Sequence, residues 1–359
     1  MAAPRLALTL ACLSALAAFA AGCGGDSATQ DAAPSGREDA VSRPAPPASE
    51  FPSVQGRTLR EVVKAADGPA ESLVRPGAQV FEVGANRYPF TIIDHDLAPL
   101  SDVEAAVYLA KVPAPKPGAH SKAGNRGAVA KAQMRALDEP AVGPFPVAIE
   151  TLATDPRFEA ESTAADPDAA TVVYSVQLDF PEQGEWLPAV ILKEGGELRG
   201  KLLPSIIVGE FEKIPRVGQR APLIHTPTAQ DVGGDLSKIT TRIPPDTMNK
   251  VDYAEALGKK PIVLLFATPK FCQSRVCGPV VDVAEQAQHE YGDKADFIHM
   301  EIYKNNDPAQ HPLPQVRAFR LPTEPWLFTI DRKGRIAAAI EGAFGLKLMH
   351  EAVEKAIAE

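Results

Sequence analysis

Apolar positions divide the chain into four stretches. The first is a predominantly apolar run from Leu6 to Ala21 behind a single cation at Arg5. The second, residues 24 to about 50, is rich in Ala, Pro, Ser, Gly and Asp and has no aliphatic period. It cannot bury enough apolar surface to offset chain entropy, and its prolines keep it extended, so it reads as a tether. The third, from about 53 to 208, alternates with the period of two that marks strands. Its clearest segment is Val173–Phe180, where Tyr174, Val176, Leu178 and Phe180 share one face. Pro181 to Gly184 turns that chain, and Glu185 to Leu192 returns it. Further strands are expected at Gln79–Val83, Tyr88–Ile93, Ala105–Ala110 and Phe145–Ile149, with a turn at Gly84–Asn86 and a short helix at Leu59–Ala66. In the fourth stretch, strand and helix patterns take turns. A helix around Val251–Leu257 closes at Gly258, and the run Pro261–Ala267 predicts a buried strand. A helix from about Pro279 to Tyr291, strands at Phe297–Tyr303, Trp326–Asp331 and Arg335–Ile340, and a terminal helix Leu346–Ala358 follow.

Composition supports two packed bodies and removes several functions. The 359 residues are 45% hydrophobic, enough for two cores. A formal net charge of −9 gives no electrostatic case for a nucleic-acid partner. Gly24-Gly25 and Gly195-Gly196 are isolated doublets, and no P-loop or dinucleotide fingerprint occurs, so neither a nucleotide nor a metal cofactor is implied. The 34 prolines favour long loops. One stretch, Lys111 to Asp138, is locally basic; without aromatic residues among its charges it reads as a solvated insertion.

The two ends of the chain treat cysteine differently. Cys12 and Cys23 lie in the first segment, Cys272 and Cys277 in the last. The Leu6–Ala21 run falls short of the roughly 20 residues of a membrane span and fits a signal peptide. Ala20-Ala21-Gly22-Cys23 resembles a bacterial lipoprotein lipobox. That resemblance implies removal of residues 1–22, lipid attachment at Cys23 and anchoring outside the cytoplasm in the cell envelope. Cys12 would then be lost and Cys23 occupied, leaving Cys272 and Cys277 as the one pair able to form a disulfide in an oxidising compartment.

That pair lies in Thr268-Pro269-Lys270-Phe271-Cys272-Gln273-Ser274-Arg275-Val276-Cys277-Gly278-Pro279, between a buried strand and a helix. If one α-helix held both cysteines, five residues would separate them by about 7.5 Å along the axis, beyond the roughly 6.8 Å between Cα atoms that a disulfide tolerates. Pro279 belongs in a first helical turn. The helix is therefore expected to begin near Cys277 to Pro279, with Cys272 on the preceding loop. A helix N-terminus and a cation such as Lys270 or Arg275 would each favour a thiolate there.

Residues 215–359 resemble the thioredoxin-like superfamily. Val217-Gly218-Gln219-Arg220-Ala221-Pro222 looks like its G-x-x-A-P lead-in, and Glu324-Pro325-Trp326-Leu327-Phe328-Thr329-Ile330-Asp331 like its cis-proline segment. The resemblance implies Cys272 as attacking thiol, Cys277 as resolving thiol and Pro325 as a cis-proline that offers backbone to a substrate strand. The family's acid on the strand before the motif is replaced by Phe266, leaving Glu301 or Glu324 as candidate proton carriers. The strands of residues 53–210 resemble an immunoglobulin-like sandwich.

The sequence thus reads as a signal peptide (1–22), a tether (23–52), a mainly-β domain (53–210) and an α/β thioredoxin-like domain (211–359). The activity expected is thiol–disulfide exchange with protein dithiols or disulfides of the cell envelope. A lipid-anchored binding protein with a structural disulfide is the alternative. A thiol peroxidase with the same cysteine spacing needs Thr where Pro269 stands, and Sco-like copper delivery needs a histidine beside Pro325. His299 reads as a packed or surface strand residue rather than a ligand. Replacing Cys23 by Ser is expected to abolish palmitate labelling and move the protein from the membrane to the soluble fraction; a variant still bound to membrane contradicts the anchor.

Overall fold

A computed structural model describes residues 40–114, 126–209, 211 and 214–359. The expected signal peptide, Cys23 and most of the tether lie outside these residues. Among them, no helix is long and apolar enough to cross a membrane.

The N-terminal body contains ten strands: β1 (Gly68–Pro69), β2 (Leu73–Pro76), β3 (Gly84–Ile93), β4 (Glu104–Lys111), β5 (Val142–Pro146), β6 (Ala148–Thr151), β7 (Val172–Phe180), β8 (Gly184–Glu194), β9 (Glu197–Leu202) and β10 (Ile206–Val208). Helix α1 (Leu59–Lys64) precedes them, and α2 (Arg126–Ala136) and α3 (Glu161–Ala164) fall between them. One sheet runs β2-β3-β7-β6; the other runs β1-β9-β8-β4-β5, with β10 also paired to β8. Only β1 with β9 is parallel.

The alternation in β7 explains how the sheets stack. Tyr174, Val176, Leu178 and Phe180 join Tyr88, Phe90, Val107, Leu109, Trp186 and Val190 in one core. Each such side chain contributes about 1.5–3 kcal/mol by leaving water. The Phe90 and Tyr174 rings stack at 5.6 Å, and the Tyr174 hydroxyl donates to the Leu100 carbonyl at 2.8 Å, which satisfies that buried oxygen. Val173, pointing the other way, joins a different core that contains both cysteines.

Three strand expectations need correction. Gln79–Val83 is not a strand; Phe81 makes only a single bridge, to Val208. Gly84–Asn86 is not a turn but the start of β3. The Asn86 side chain accounts for both: its Nδ2 donates to the carbonyls of Glu82 and Gly84, and its Oδ1 accepts from the Glu82 N–H at 2.9 Å. A side chain thereby satisfies backbone that a ladder would otherwise need. Phe145–Ile149 is two strands in different sheets, β5 on β4 and β6 on β7. The Val147 N–H still donates to the Ala105 carbonyl of β4 at 2.9 Å, and from Ala148 onward the chain pairs with β7 in the other sheet. In the basic stretch, residues 115–125 lie outside those described, and α2 brings Ala136 and Leu137 onto the outer face of the β4–β8 sheet.

The C-terminal body holds α4 (Tyr253–Ala256), β11 (Ile262–Phe266), α5 (Cys277–Tyr291), β12 (Asp296–Met300), α6 (Pro314–Ala318), β13 (Trp326–Ile330), β14 (Ile336–Glu341) and α7 (Leu346–Ala358). Its sheet runs β12-β11-β13-β14, with β12 parallel to β11 and the other two pairs antiparallel. This is the strand–helix–strand, strand–turn–strand–helix order expected from the sequence. β11 is buried on both faces: Val263 and Leu265 pack on α5 and α7, while Ile262, Leu264 and Phe266 pack with Tyr253, Val316 and Phe319.

The two bodies pack as one unit. Arg242, from the segment that joins them, is buried at the junction. Its Nε donates to Asp282 on α5 at 2.8 Å and its Nη2 to the Phe158 carbonyl of the N-terminal body at 2.7 Å. Burial pushes the Asp282 carboxyl up to about 6 even though the guanidinium opposes the shift. Above that pH the pair is ionised, and removing one partner of a buried ion pair costs about 3–5 kcal/mol. Arg242→Ala is expected to lose that much stability at pH 8 in urea denaturation and clearly less at pH 5, where Asp282 holds a proton. An equal loss at both pH values contradicts this account.

Candidate redox site

β11 ends at Phe266, and the chain turns through Ala267–Val276 before α5 begins at Cys277. Pro279 sits in the first turn of α5, where its missing N–H costs nothing. Cys272 lies on the loop, bonded to Cys277 with Cα atoms 5.9 Å apart. That separation lies in the range a disulfide allows. Val276 caps α5 with no side-chain hydrogen bond, so the positive end of the helix falls at Cys277. The loop closes by the Arg275 N–H donating to the Cys272 carbonyl at 3.3 Å, with Arg275 in the left-handed region at φ 58°. Ser274 Oγ stands 3.3 Å from Cys272 Sγ.

The two cations near the pair are both engaged. Arg275 Nη1 pairs with Asp166 of the N-terminal body at 3.2 Å, and the Lys270 ammonium sits 5.5 Å from the centre of the Phe271 ring. The Glu324–Pro325 peptide is cis. Pro325 directly precedes β13, whose Trp326 pairs with Phe266, the last residue of β11. The ends of the two strands that carry the loop and the proline are therefore side by side. Both cysteines are buried, Cys272 at 4% exposure and Cys277 at 0%.

Beneath the loop lies a polar network that sequence reasoning missed. His299 on β12 is fully buried; Nδ1–H donates to Asp246 Oδ2 at 2.8 Å and Nε2–H to the Ala267 carbonyl at 3.1 Å. Burial alone would strip the charge from this ring, but the Asp246 carboxylate reverses that and holds the imidazolium to about 9. Asp246 also accepts from the Thr240 hydroxyl and the Met248 N–H. Glu301 accepts from the Thr241 N–H and hydroxyl, at 2.7 and 2.6 Å, and the Thr241 hydroxyl accepts from the Lys270 N–H at 3.2 Å. Residues 240–248 thus brace the cysteine loop. Burial raises the Glu324 carboxyl, and the Glu301 carboxylate nearby adds to the shift. Phe266, at the end of β11, packs against Phe319 and Phe328.

His299 is a packed strand residue, as expected, and both its nitrogens are spent on protein partners, which leaves none for a metal. His311 is exposed on a loop. Among the described residues, no group of three or more His, Cys, Asp or Glu side chains could hold a metal ion. The sequence carried one hint of the network, a histidine in an otherwise apolar strand, and no sign that Asp246 was its partner.

No family model matches the chain, and no curated protein does. Among solved structures, the chain is similar to a thiol:disulfide interchange protein, a thioredoxin family protein from Chlorobium tepidum TLS. The two share 16% identity over 40% of this chain and 97% of that one, with a TM-score of 0.29. A likeness at that level carries no argument about this chain's activity.

The raised His299 pKa sets a pH dependence. Its contribution to stability is complete below the unfolded value near 6.5 and is lost as pH rises toward about 9. Wild-type stability measured by urea titration is expected to fall across that window, whereas His299→Gln is less stable at pH 6 and flat from 6.5 to 9. An alkaline slope unchanged in the variant contradicts the assignment.

Proposed function

We propose that this chain is a thiol–disulfide oxidoreductase, anchored outside the cytoplasm by lipid on Cys23, that exchanges its Cys272–Cys277 pair with protein dithiols or disulfides of the cell envelope. The observation that carries this reading is the disulfide between the end of β11 and the start of α5, beside the strand that follows cis-Pro325. Neither a nucleic-acid partner nor a cofactor belongs to it.

Exchange with a dithiol proceeds in two displacements. A partner thiolate attacks Cys272 Sγ; a mixed disulfide forms, the Cys272–Cys277 bond breaks, and Cys277 leaves as a thiolate at the positive end of α5. The partner's second thiolate then attacks its own sulfur in the mixed disulfide and expels the Cys272 thiolate. The partner departs as a disulfide, and this chain keeps two electrons as a dithiol. The reverse sequence reduces a partner disulfide, with Cys272 attacking and Cys277 resolving. Pro325 presents backbone to the partner strand. Glu301, which holds Thr241 under the cysteine loop, and Glu324, next to Pro325, are the candidate proton carriers.

The N-terminal body is, in this reading, an immunoglobulin-like domain spanning about 53–210. What supports that class is strand order: the second, third, sixth and seventh strands form one sheet in the order 2-3-7-6, opposite a sheet containing 5-4-8-9.

Burial of both cysteines favours a second reading, a cell-surface binding protein whose disulfide is structural. Trapping separates the two. Cys277→Ser is expected to accumulate mixed disulfides with envelope proteins that dithiothreitol releases, and Cys272→Ser to accumulate none. Absence of adducts from Cys277→Ser, in cells where the wild-type pair stays oxidised, favours the structural disulfide.

A further inference from the structure

The segment of the N-terminal body between β6 and β7 runs across the cysteine loop of the C-terminal body. Its first part is anchored to α5: the Asp155 N–H donates to Gln286 at 2.9 Å, and the Phe158 ring lies 5.3 Å from the His289 ring. The Ser162 N–H then donates to the Ile243 carbonyl at 3.0 Å, and the Ile243 N–H returns a bond to Ser162 Oγ at 3.1 Å. Thr163 rests on Gly278, where an added Cβ would stand only 2.9 Å from Thr163 Oγ1. Absence of a side chain at residue 278 is what lets the segment come so close. A cavity of about 300 Å³ remains between the two, lined by Thr163, Asp166, Pro269, Lys270 and Arg275 among others.

Its last part is tied to one residue. The Arg275 carbonyl accepts from the Ala170 N–H at 3.0 Å, and the Arg275 guanidinium pairs with Asp166 at 3.2 Å. Arg275 lies inside the short loop that the disulfide closes, in a backbone region that side chains other than glycine enter at a cost. Such a conformation persists only while its surroundings impose it, and the disulfide is the covalent part of those surroundings. Ala170 also shares a buried apolar cluster with Cys272, Val276 and Cys277.

We propose that residues 160–170 form a redox-controlled strap over the Cys272–Cys277 disulfide, docked through Arg275 while the pair is oxidised and loosened when it is reduced. The inference deepens the exchange reading and rests on it for its biological use. Reduction by a dithiol donor transfers two electrons and two protons, breaks the sulfur–sulfur bond and leaves two thiols. The loop is then free to relax at Arg275, which moves both the carbonyl and the guanidinium on which the strap depends. Coupling runs both ways: a strap that prefers the disulfide must also make the disulfide harder to reduce.

The test uses the soluble chain from Gly36 onward, which packs as one unit, equilibrated with dithiothreitol, and the variant Asp166→Asn. Asparagine keeps the carbonyl that accepts the Asp168 N–H and removes the charge that pairs with Arg275. A partly exposed pair is worth up to about 1 kcal/mol. The equilibrium constant for reduction is therefore expected to rise about two- to fivefold in Asp166→Asn. Hydrogen exchange supplies an independent readout: amides of residues 160–170 are expected to exchange faster after reduction, while those of β3 do not change. An unchanged equilibrium constant together with identical exchange in both redox states overturns the strap. Neither readout needs a cellular partner. Redox-dependent exchange without trapped partners would leave the strap standing and remove the oxidoreductase; trapped partners without redox-dependent exchange would do the opposite.

Discussion

A buried guanidinium cannot be left unmatched, and Arg242 is where that constraint is strongest in this protein. It leaves the connecting segment, enters the junction of the two bodies and spends its donors on Asp282, Phe158 and Pro244. Five residues upstream of Asp282 on the same helix is Cys277. The helix that begins at Cys277 is therefore fixed to the N-terminal body by charge as well as by packing. Neighbouring residues extend the brace: Thr240 to Asp246 and His299, Thr241 to Glu301 and the backbone of Lys270. The connector between the two bodies is thus also the floor of the cysteine loop.

This arrangement changes what the redox pair can be. Without the N-terminal body, the loop before α5 would face solvent. Here it faces Asp166, Ala170 and Val173 of the sandwich, and neither sulfur-bearing residue is exposed. Burial shields the disulfide, because any outside thiol would first have to displace contacts that the sandwich supplies. The exposed Arg275–Asp166 pair is weak by comparison with the Arg242–Asp282 pair, as surface and buried pairs generally are. Weak contacts at the loop and strong ones at the helix are what a cover needs if it is to move while the junction holds.

Local features were legible in the sequence, and long-range matches were not. The run Pro261–Ala267 announced β11, the position of Pro279 announced where α5 begins, and the alternation of Val173–Phe180 announced the face that fills the sandwich core. Each of those signals acts within a few residues. Asp246 and His299 are 53 positions apart, and Arg242 and Asp282 are 40 apart. Nothing in a single sequence says which of its many carboxylates will be folded against which cation. The Phe145–Ile149 misreading has a related origin, since a strand that changes sheets keeps its apolar pattern while exchanging its partner. Asn86 misled in the other direction, as a turn-forming residue that does its hydrogen bonding from inside a strand.

The central claim is that the Cys272–Cys277 disulfide is made to be broken and reformed. Its reduction potential, measured on the wild-type chain against glutathione or dithiothreitol buffers, tests this most directly. Exchange-active pairs fall at roughly −120 to −270 mV, and the account predicts a value in that range. A potential below about −300 mV would mark an inert structural bridge and contradict it.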